Sequence, residues 1–336
     1  MNKEMKGSGI KRCLAIVAAV LFTQAVSAQY IPAMTPGKKQ KVPEKAGYWH
    51  RSNTFQHMDL SLSLGTTGIG LDIAMPLCEY AQVRVGYELM PHFKKHISAD
   101  VMVGDEKSLQ YDVNGNRIET NYERARNLIY GLYGYDMMPT IDMTSRITMN
   151  NFKFLVDIFP LSDNKKLHAT IGFYWGPSQF SKIEHDDAST ATLQAVSAYN
   201  KLYNAAVSGT GDPALDYIKD YGSAGFPMGK KNDGTNYRMT PGDKGAISIP
   251  VKANAFKPYV GIGYESAFSK KHEDLKFAVT GGLMFWGGTP SMVTPDGVNL
   301  TEDVSDISGD MGSYVNFVSK LKAFPVISFR FIKNLF

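Results

Sequence analysis

The sequence predicts an all-β fold: an eight-stranded antiparallel up-and-down transmembrane β-barrel with long, partly helical extracellular loops. Three observations carry that expectation. Eight segments alternate apolar and polar residues with period two, as strands with two unlike faces do. Tight and very long connections follow one another, so that the tight turns collect at one end of an up-and-down sheet. No apolar run of about 18 residues follows residue 28, which excludes membrane-spanning helices. Composition agrees, since 31 Gly, 18 Tyr and 18 Phe among 336 residues favour strands and turns, and 43% hydrophobic residues exclude a disordered chain.

The N-terminus reads as an export signal. Lys3, Lys6, Lys11 and Arg12 precede an apolar run from Cys13 to Phe22, and Val26-Ser27-Ala28 supplies small residues for cleavage before Gln29. That run is too short for a helical anchor, and Lys11-Arg12 stand where a lipoprotein cysteine needs small apolar residues. Removing residues 1–28 takes four of 36 bases and one of 32 acids, leaving 32 against 31. Such a balance gives no reason to expect nucleic acid as a partner. Cys78 then stands alone, which excludes an intramolecular disulfide, a zinc cluster and CxxC redox chemistry. Residues 29–54, with Pro32, Pro36 and Pro43 among lysines, read as an extended or disordered periplasmic segment.

Alternation begins after Phe55. Met58, Leu60, Leu62 and Leu64 share one face, and after Gly65-Thr66-Thr67 so do Ile69, Leu71, Ile73 and Met75. Beyond Pro76–Tyr80, Val83, Val85, Tyr87 and Leu89 oppose Arg84, Gly86 and Glu88. Phe152, Phe154, Val156 and Ile158 oppose Lys153, Leu155 and Asp157; past a turn at Pro160–Lys166, Leu167 to Trp175 alternates against His168, Thr170, Gly172 and Tyr174. Val260, Ile262 and Tyr264 oppose Tyr259, Gly261, Gly263 and Glu265, and Ser269–Asp274 leads into Leu275–Phe285. Ile327, Phe329 and Phe331 form the last segment. Residues 94–148, 181–255 and 287–322 are left as long loops. A soluble secreted β-sandwich, the alternative, has no reason to sort its loops in this way and would not carry a structureless loop of such length.

With the apolar face toward outer-membrane lipid, Asp59, Asp72, Arg84, Glu88, Lys153, Asp157, His168, Glu265, Lys276 and Arg330 face the lumen. An eight-stranded barrel is just wide enough for side chains to fill. Near-balanced charges there predict a structural ion-paired network, against the alternative of a solute or proton path. His168 with Ser61 or Ser63 and Glu265 can be drawn as a triad, but a hydrogen-bonded lumen histidine is the simpler reading. Asp112-Val113-Asn114-Gly115-Asn116 with Glu123 imitates a calcium loop, yet Arg117 occupies the position that requires glycine; Asn114-Gly115 reads instead as a hairpin turn between Tyr111 and Ile118. Gly65–Gly70 precedes a strand and lacks the helix of a phosphate loop. No catalytic, cofactor or metal site is expected.

In the long loops, Thr190–Val207 predicts a helix with Ser189 placed to cap it, Asp212-Pro213 opens a second helix to about Tyr221, and Ser313–Lys322 predicts a third with Tyr314, Phe317 and Leu321 on one stripe. Tyr122, Tyr130, Tyr133 and Tyr135 add aromatics to the first loop. Two readings stay open: a cap packed on itself, or a ligand surface on a rigid scaffold.

Phe152–Pro160 with Leu167–Tyr174, Lys257–Tyr264, Phe324–Phe331 and Thr67–Met75 resemble outer-membrane β-barrel proteins common in Bacteroidetes. The resemblance covers strands and not loops. It implies a small monomeric barrel in the outer membrane of a Gram-negative bacterium, in a family whose members mostly lack an assigned activity. Phe336 is similar to the C-terminal aromatic read by the barrel-assembly machinery, but it is out of phase with Ile327, Phe329 and Phe331. Either a bulge intervenes near Ile332–Asn334 or the signal is imperfect. The expected role is binding or envelope structure, carried by the loops toward an unidentified extracellular ligand, without catalysis. A small-solute channel and a lipid-modifying enzyme are the alternatives.

Overall fold

A computed structural model describes residues 57–78, 80–160, 166–242, 245–269 and 272–335. The export signal, the segment 29–54 and Phe336 lie outside the described residues.

Eight strands close into a barrel: β1 (Asp59–Gly65), β2 (Gly68–Cys78), β3 (Ala81–Leu89), β4 (Asn151–Ile158), β5 (Leu167–Trp175), β6 (Phe256–Ser269), β7 (His272–Phe285) and β8 (Ala323–Asn334). Each pairs antiparallel with its neighbours in sequence, and β8 returns to β1 from Asp59↔Asn334 to Gly65↔Ser328. The eight-stranded up-and-down expectation is borne out. Closure leaves no strand edge, so the ring satisfies its own backbone hydrogen bonds.

Alternation sets the two faces. Leu60, Leu62, Leu64, Ile69, Leu71 and Ile73 point outward and are exposed, while Asp59, Ser61, Ser63 and Asp72 point inward and are buried. Glycine makes room where the lumen is tightest. A Cβ on Gly86 would lie 2.0 Å from Asp72 Oδ1, and one on Gly263 would lie 2.3 Å from His168 Nε2. Pairing of β8 runs without a register shift from Ala323 to Asn334, so no bulge occurs near Ile332–Asn334.

The connections expected as loops are the larger departure. Five barrel strands continue past the rim as an open sheet whose strands keep the barrel's order. Phe93–Asp100 extends β3, Thr140–Ile147 leads into β4, Gln179–His185 extends β5, Ser248–Lys252 leads into β6, and Ser291–Met292 extends β7. The breaks at 90–92, 148–150, 176–178 and 253–255 interrupt the sequence period and so hide alternation such as Ile141, Met143 and Ser145.

Three helices and a hairpin cover the inner face of this sheet. Helix α1 (Asn121–Tyr133) starts at a capping box between Thr120 and Glu123 and ends at Gly134 in the left-handed region. It falls where the sequence shows only scattered tyrosines: Tyr122 is buried, and Tyr130, Tyr133 and Tyr135 are exposed. Helix α2 spans Thr190–Val207 as expected, but Ser189 does not cap it. Ser189 Oγ instead accepts from the Asp142 N–H at 2.8 Å, tying the helix start to the sheet. The 213–220 segment is a 3₁₀ helix capped by Asp212. Helix α3 runs Gly309–Lys320, earlier than expected; it buries Met311, Tyr314, Val315 and Val318 and leaves Phe317 exposed. Leu193, Val196, Tyr199, Phe226, Ile141, Met143, Ile183, Ile249 and Val251 belong to one continuous core, so the cap is packed on itself.

Candidate functional site

All ten residues expected in the lumen point into it. Asp157 is the centre of the lower cluster. Its carboxylate lies 3.1 Å from Arg84 Nη2 and 3.9 Å from Arg330 Nη2, and accepts from Gln82 Nε2 at 3.0 Å and Thr170 Oγ1 at 2.7 Å. His168 lies beside it, with Nε2 3.5 Å from Arg330 Nη2 and its ring 5.4 Å from that of Phe159. A second cluster sits on Lys153, whose ammonium is 2.7 Å from Asp72 and 2.5 Å from Glu88 and donates to Ser63 Oγ at 3.3 Å. At the end near the short turns, Lys276 lies 3.1 Å from Glu265 and 4.0 Å from Asp59, and Asp59 accepts from Asn334 Nδ2 at 2.9 Å.

The triad drawn from the sequence is not assembled. Ser61 Oγ donates to Asp72 at 3.5 Å, and Ser63 is taken by Lys153. Among the described residues, no group of three or more His, Cys, Asp or Glu is placed to hold a metal ion. Asp112 accepts from the backbone N–H of Asn116 at 2.8 Å, from the Asn116 side-chain amide at 3.2 Å and from the backbone N–H of Asn114 at 2.8 Å, and these bonds, those of Asn116 foremost, hold its carboxyl below the usual carboxylate range. Gln110–Tyr111 pairs with Arg117–Ile118, so the hairpin reading of this segment stands, and Glu123 serves α1 as a cap.

One lumen cation escapes a reading of the sequence. Lys257 is 1% exposed; it donates to Asn151 Oδ1 at 3.2 Å and to the Ala255 carbonyl at 3.3 Å, and no carboxylate among the described residues lies within ion-pair distance. With it, five acids (Asp59, Asp72, Glu88, Asp157, Glu265) face five permanent bases (Arg84, Lys153, Lys257, Lys276, Arg330). Lys257 has the same parity as Tyr259 and Glu265, but Pro258 hides it, because proline argues against a strand interior. Here Pro258 sits opposite Phe173 near the rim.

Apolar and aromatic side chains share the lumen with the charges: Tyr174 stands opposite both Lys153 and Lys257, and Leu155 stands opposite Arg84. Leu155, Tyr174, Tyr259, Met284 and Val326 are buried there, with the rings of Tyr174 and Tyr259 edge-on at 5.4 Å. Trp286 then stacks on Phe324 at 5.7 Å and meets Phe180 at 4.4 Å. Tyr314 of α3 closes the neck, its hydroxyl 2.8 Å from Ser145 Oγ and 3.1 Å from Ser181 Oγ.

The outside of the barrel is the opposite in character. Leu71, Ile262 and Phe329 are 58%, 74% and 53% exposed; seven of the eight barrel strands contribute exposed residues to the belt, and β4 adds the half-buried Phe152, Phe154 and Ile158. Trp175, Phe256 and Tyr87 ring its cap end, and Phe268 stacks on Phe331 at 6.1 Å toward the other. The nine residues of β5, tilted as barrel strands are, rise about 23 Å, close to the apolar band of about 25 Å that a membrane barrel presents.

No protein-family model and no curated protein matches the chain. Among solved structures, CarO2 of Acinetobacter baumannii is similar at 13% identity over 84% of this chain and 100% of that one, with a TM-score of 0.38. CarO of the same organism aligns at 14% identity over 82% and 96%, TM-score 0.32. A major outer membrane protein of Thermus thermophilus aligns at 10% over 83% and 98%, TM-score 0.27. At these scores the likenesses carry no argument, and the reading of this chain rests on its own geometry.

Proposed function

We propose that the protein is an integral outer-membrane barrel of a Gram-negative envelope that works as a rigid, non-conducting platform. Its cap carries an extracellular binding or envelope-structural role without catalysis. The observation that supports this reading most is the inversion of the barrel: an apolar belt, exposed on seven of the eight strands, encloses a lumen in which charged groups from opposite walls meet. An exposed apolar surface of that extent calls for lipid. The packed neck of Tyr314, Trp286 and Phe324 speaks against a solute path. The occupied hydroxyls of Ser61 and Ser63 speak against a serine nucleophile in the lumen. The test is current through planar bilayers containing the purified protein. The platform reading expects no steady conductance, and stable open channels would replace it with the channel reading.

A further inference from the structure

The outer face of the cap sheet sorts its charge by height above the barrel. Lys94 is directly paired with Arg146, and Arg146 with Lys182, so three cations stand in one row across three adjacent strands on the same face. Lys252 is exposed one strand further and nearer the barrel. The next residues outward on that face are His96, Thr144 and Glu184, and beyond them come Asp142 and Asp186. The basic row therefore faces the membrane end of the cap, and the acids face away from it.

Like charges directly opposite each other in a sheet repel, and a row of three needs a counter-charge. Within the protein it is only partly supplied: Glu184 lies 2.6 Å from Lys182, and among the described residues no carboxylate pairs with Lys94 or Arg146. The three side chains remain open to solvent, Lys182 at 40% of its side-chain surface. Arg146 is six residues from the outward Phe152, and Lys182 is seven from the girdle residue Trp175. Along tilted strands that places the row about 15 Å beyond the girdle. Long basic side chains there can reach back toward the headgroups.

We propose that Lys94, Arg146 and Lys182 form a docking surface for the anionic phosphates of lipids in the leaflet beside the cap. The inference rests on the membrane reading above. The row supplies three donors with fixed spacing on a rigid sheet, and charge complementarity selects an anionic headgroup over a zwitterionic one. Docked phosphates neutralise the repulsion within the row, so lipid binding and cap rigidity support each other.

The experiment uses the full-length protein in non-ionic detergent. Native mass spectrometry follows retention of phosphatidylglycerol, with phosphatidylcholine and inorganic phosphate as separate arms. The combined variant Lys94→Gln, Arg146→Gln, Lys182→Gln is expected to lose affinity for phosphatidylglycerol on the order of a hundredfold, about fivefold for each charge. Phosphatidylcholine binding should not change. Glu184→Gln, which removes the competing carboxylate, is expected to tighten phosphatidylglycerol binding; a heat-modifiability gel confirms the folded barrel in both variants. Equal phosphatidylglycerol retention by wild type and the combined variant would overturn the proposal, as would inorganic phosphate competing away the lipid at matched concentration. A protein that stays dispersed without detergent would overturn the membrane reading and this inference together; one that needs detergent but ignores the headgroup overturns this inference alone.

Discussion

Arg330 and Asp157 come from β8 and β4, which lie opposite each other in the eight-strand ring, yet Nη2 of one is 3.9 Å from Oδ2 of the other. Arg84, from the strand beside β4, approaches the same carboxylate at 3.1 Å. The two walls are thus pinned through a single acid. Asp157→Ala leaves two buried guanidinium groups without their shared partner. Breaking such a cluster is expected to cost about 3–5 kcal/mol. Urea unfolding followed by the folded band on a gel measures it, and Arg84→Ala should lose no more than Asp157→Ala.

Lys153 and Lys257 are both buried lumen lysines, but they stand in different company. Lys153 serves two carboxylates and Lys257 serves none. Lys153→Met should therefore destabilise the barrel by about 3–5 kcal/mol, because Asp72 and Glu88 are left facing each other. Lys257→Met removes a charge without stranding another and should cost less than about 1 kcal/mol, or stabilise. The same unfolding assay compares the two, and equal losses would contradict this account of the lumen.

The cap and the barrel should come apart experimentally. None of the strand pairs that close the barrel uses residues 186–245, so replacing Asp186–Gly245 with a short Gly/Ser linker should preserve the heat-modifiable band. It also removes Leu193, Val196 and Tyr199 from the core over Ile141, Met143 and Ile183, so the remaining cap should become protease-sensitive. Phe173→Asp should do the reverse and hinder insertion. Its ring lies outside the barrel between Phe154 at 5.7 Å and Phe256 at 4.9 Å, where a carboxylate must meet lipid, at less than the roughly 2–4 kcal/mol that Arg or Lys costs at mid-membrane.

Strand direction puts the short turns at one end of the barrel and the cap at the other. The strand ends joined by 161–165 and by 270–271 fall opposite the cap, and Gly234 sits in a tight turn of the cap where added atoms meet no neighbour. An epitope inserted at Asp233–Gly234 should bind antibody on intact cells, and one inserted in 161–165 should bind only after the envelope is opened. The opposite pattern would reverse the orientation.

What the sequence makes legible follows the period of two. Each barrel strand can be read because one of its faces meets uniform surroundings, so Leu60, Leu62 and Leu64 repeat without exception. The ten lumen residues follow from the same parity. Lys257 does not, because Pro258 interrupts the pattern without interrupting the strand. The cap sheet is hidden for a related reason. Its strands are short, one face carries charge and the other meets helices, and breaks at 90–92 and 148–150 reset the phase. Helix α2 is legible from its long apolar stripe, whereas α1, with three buried side chains among polar neighbours, leaves little signal.

The central claim is that the apolar face of every strand meets lipid while the polar face meets the filled lumen. Spin labels at single cysteines, in a Cys78→Ser background reconstituted into phospholipid vesicles, test it at Leu62, Ile262 and Phe329, which lie on three different strands. The account predicts that all three labels collide readily with dissolved oxygen, which partitions into lipid, and poorly with a water-soluble nickel complex. Labels that favour the nickel complex at these positions would show the belt facing water and would contradict the barrel as a membrane protein.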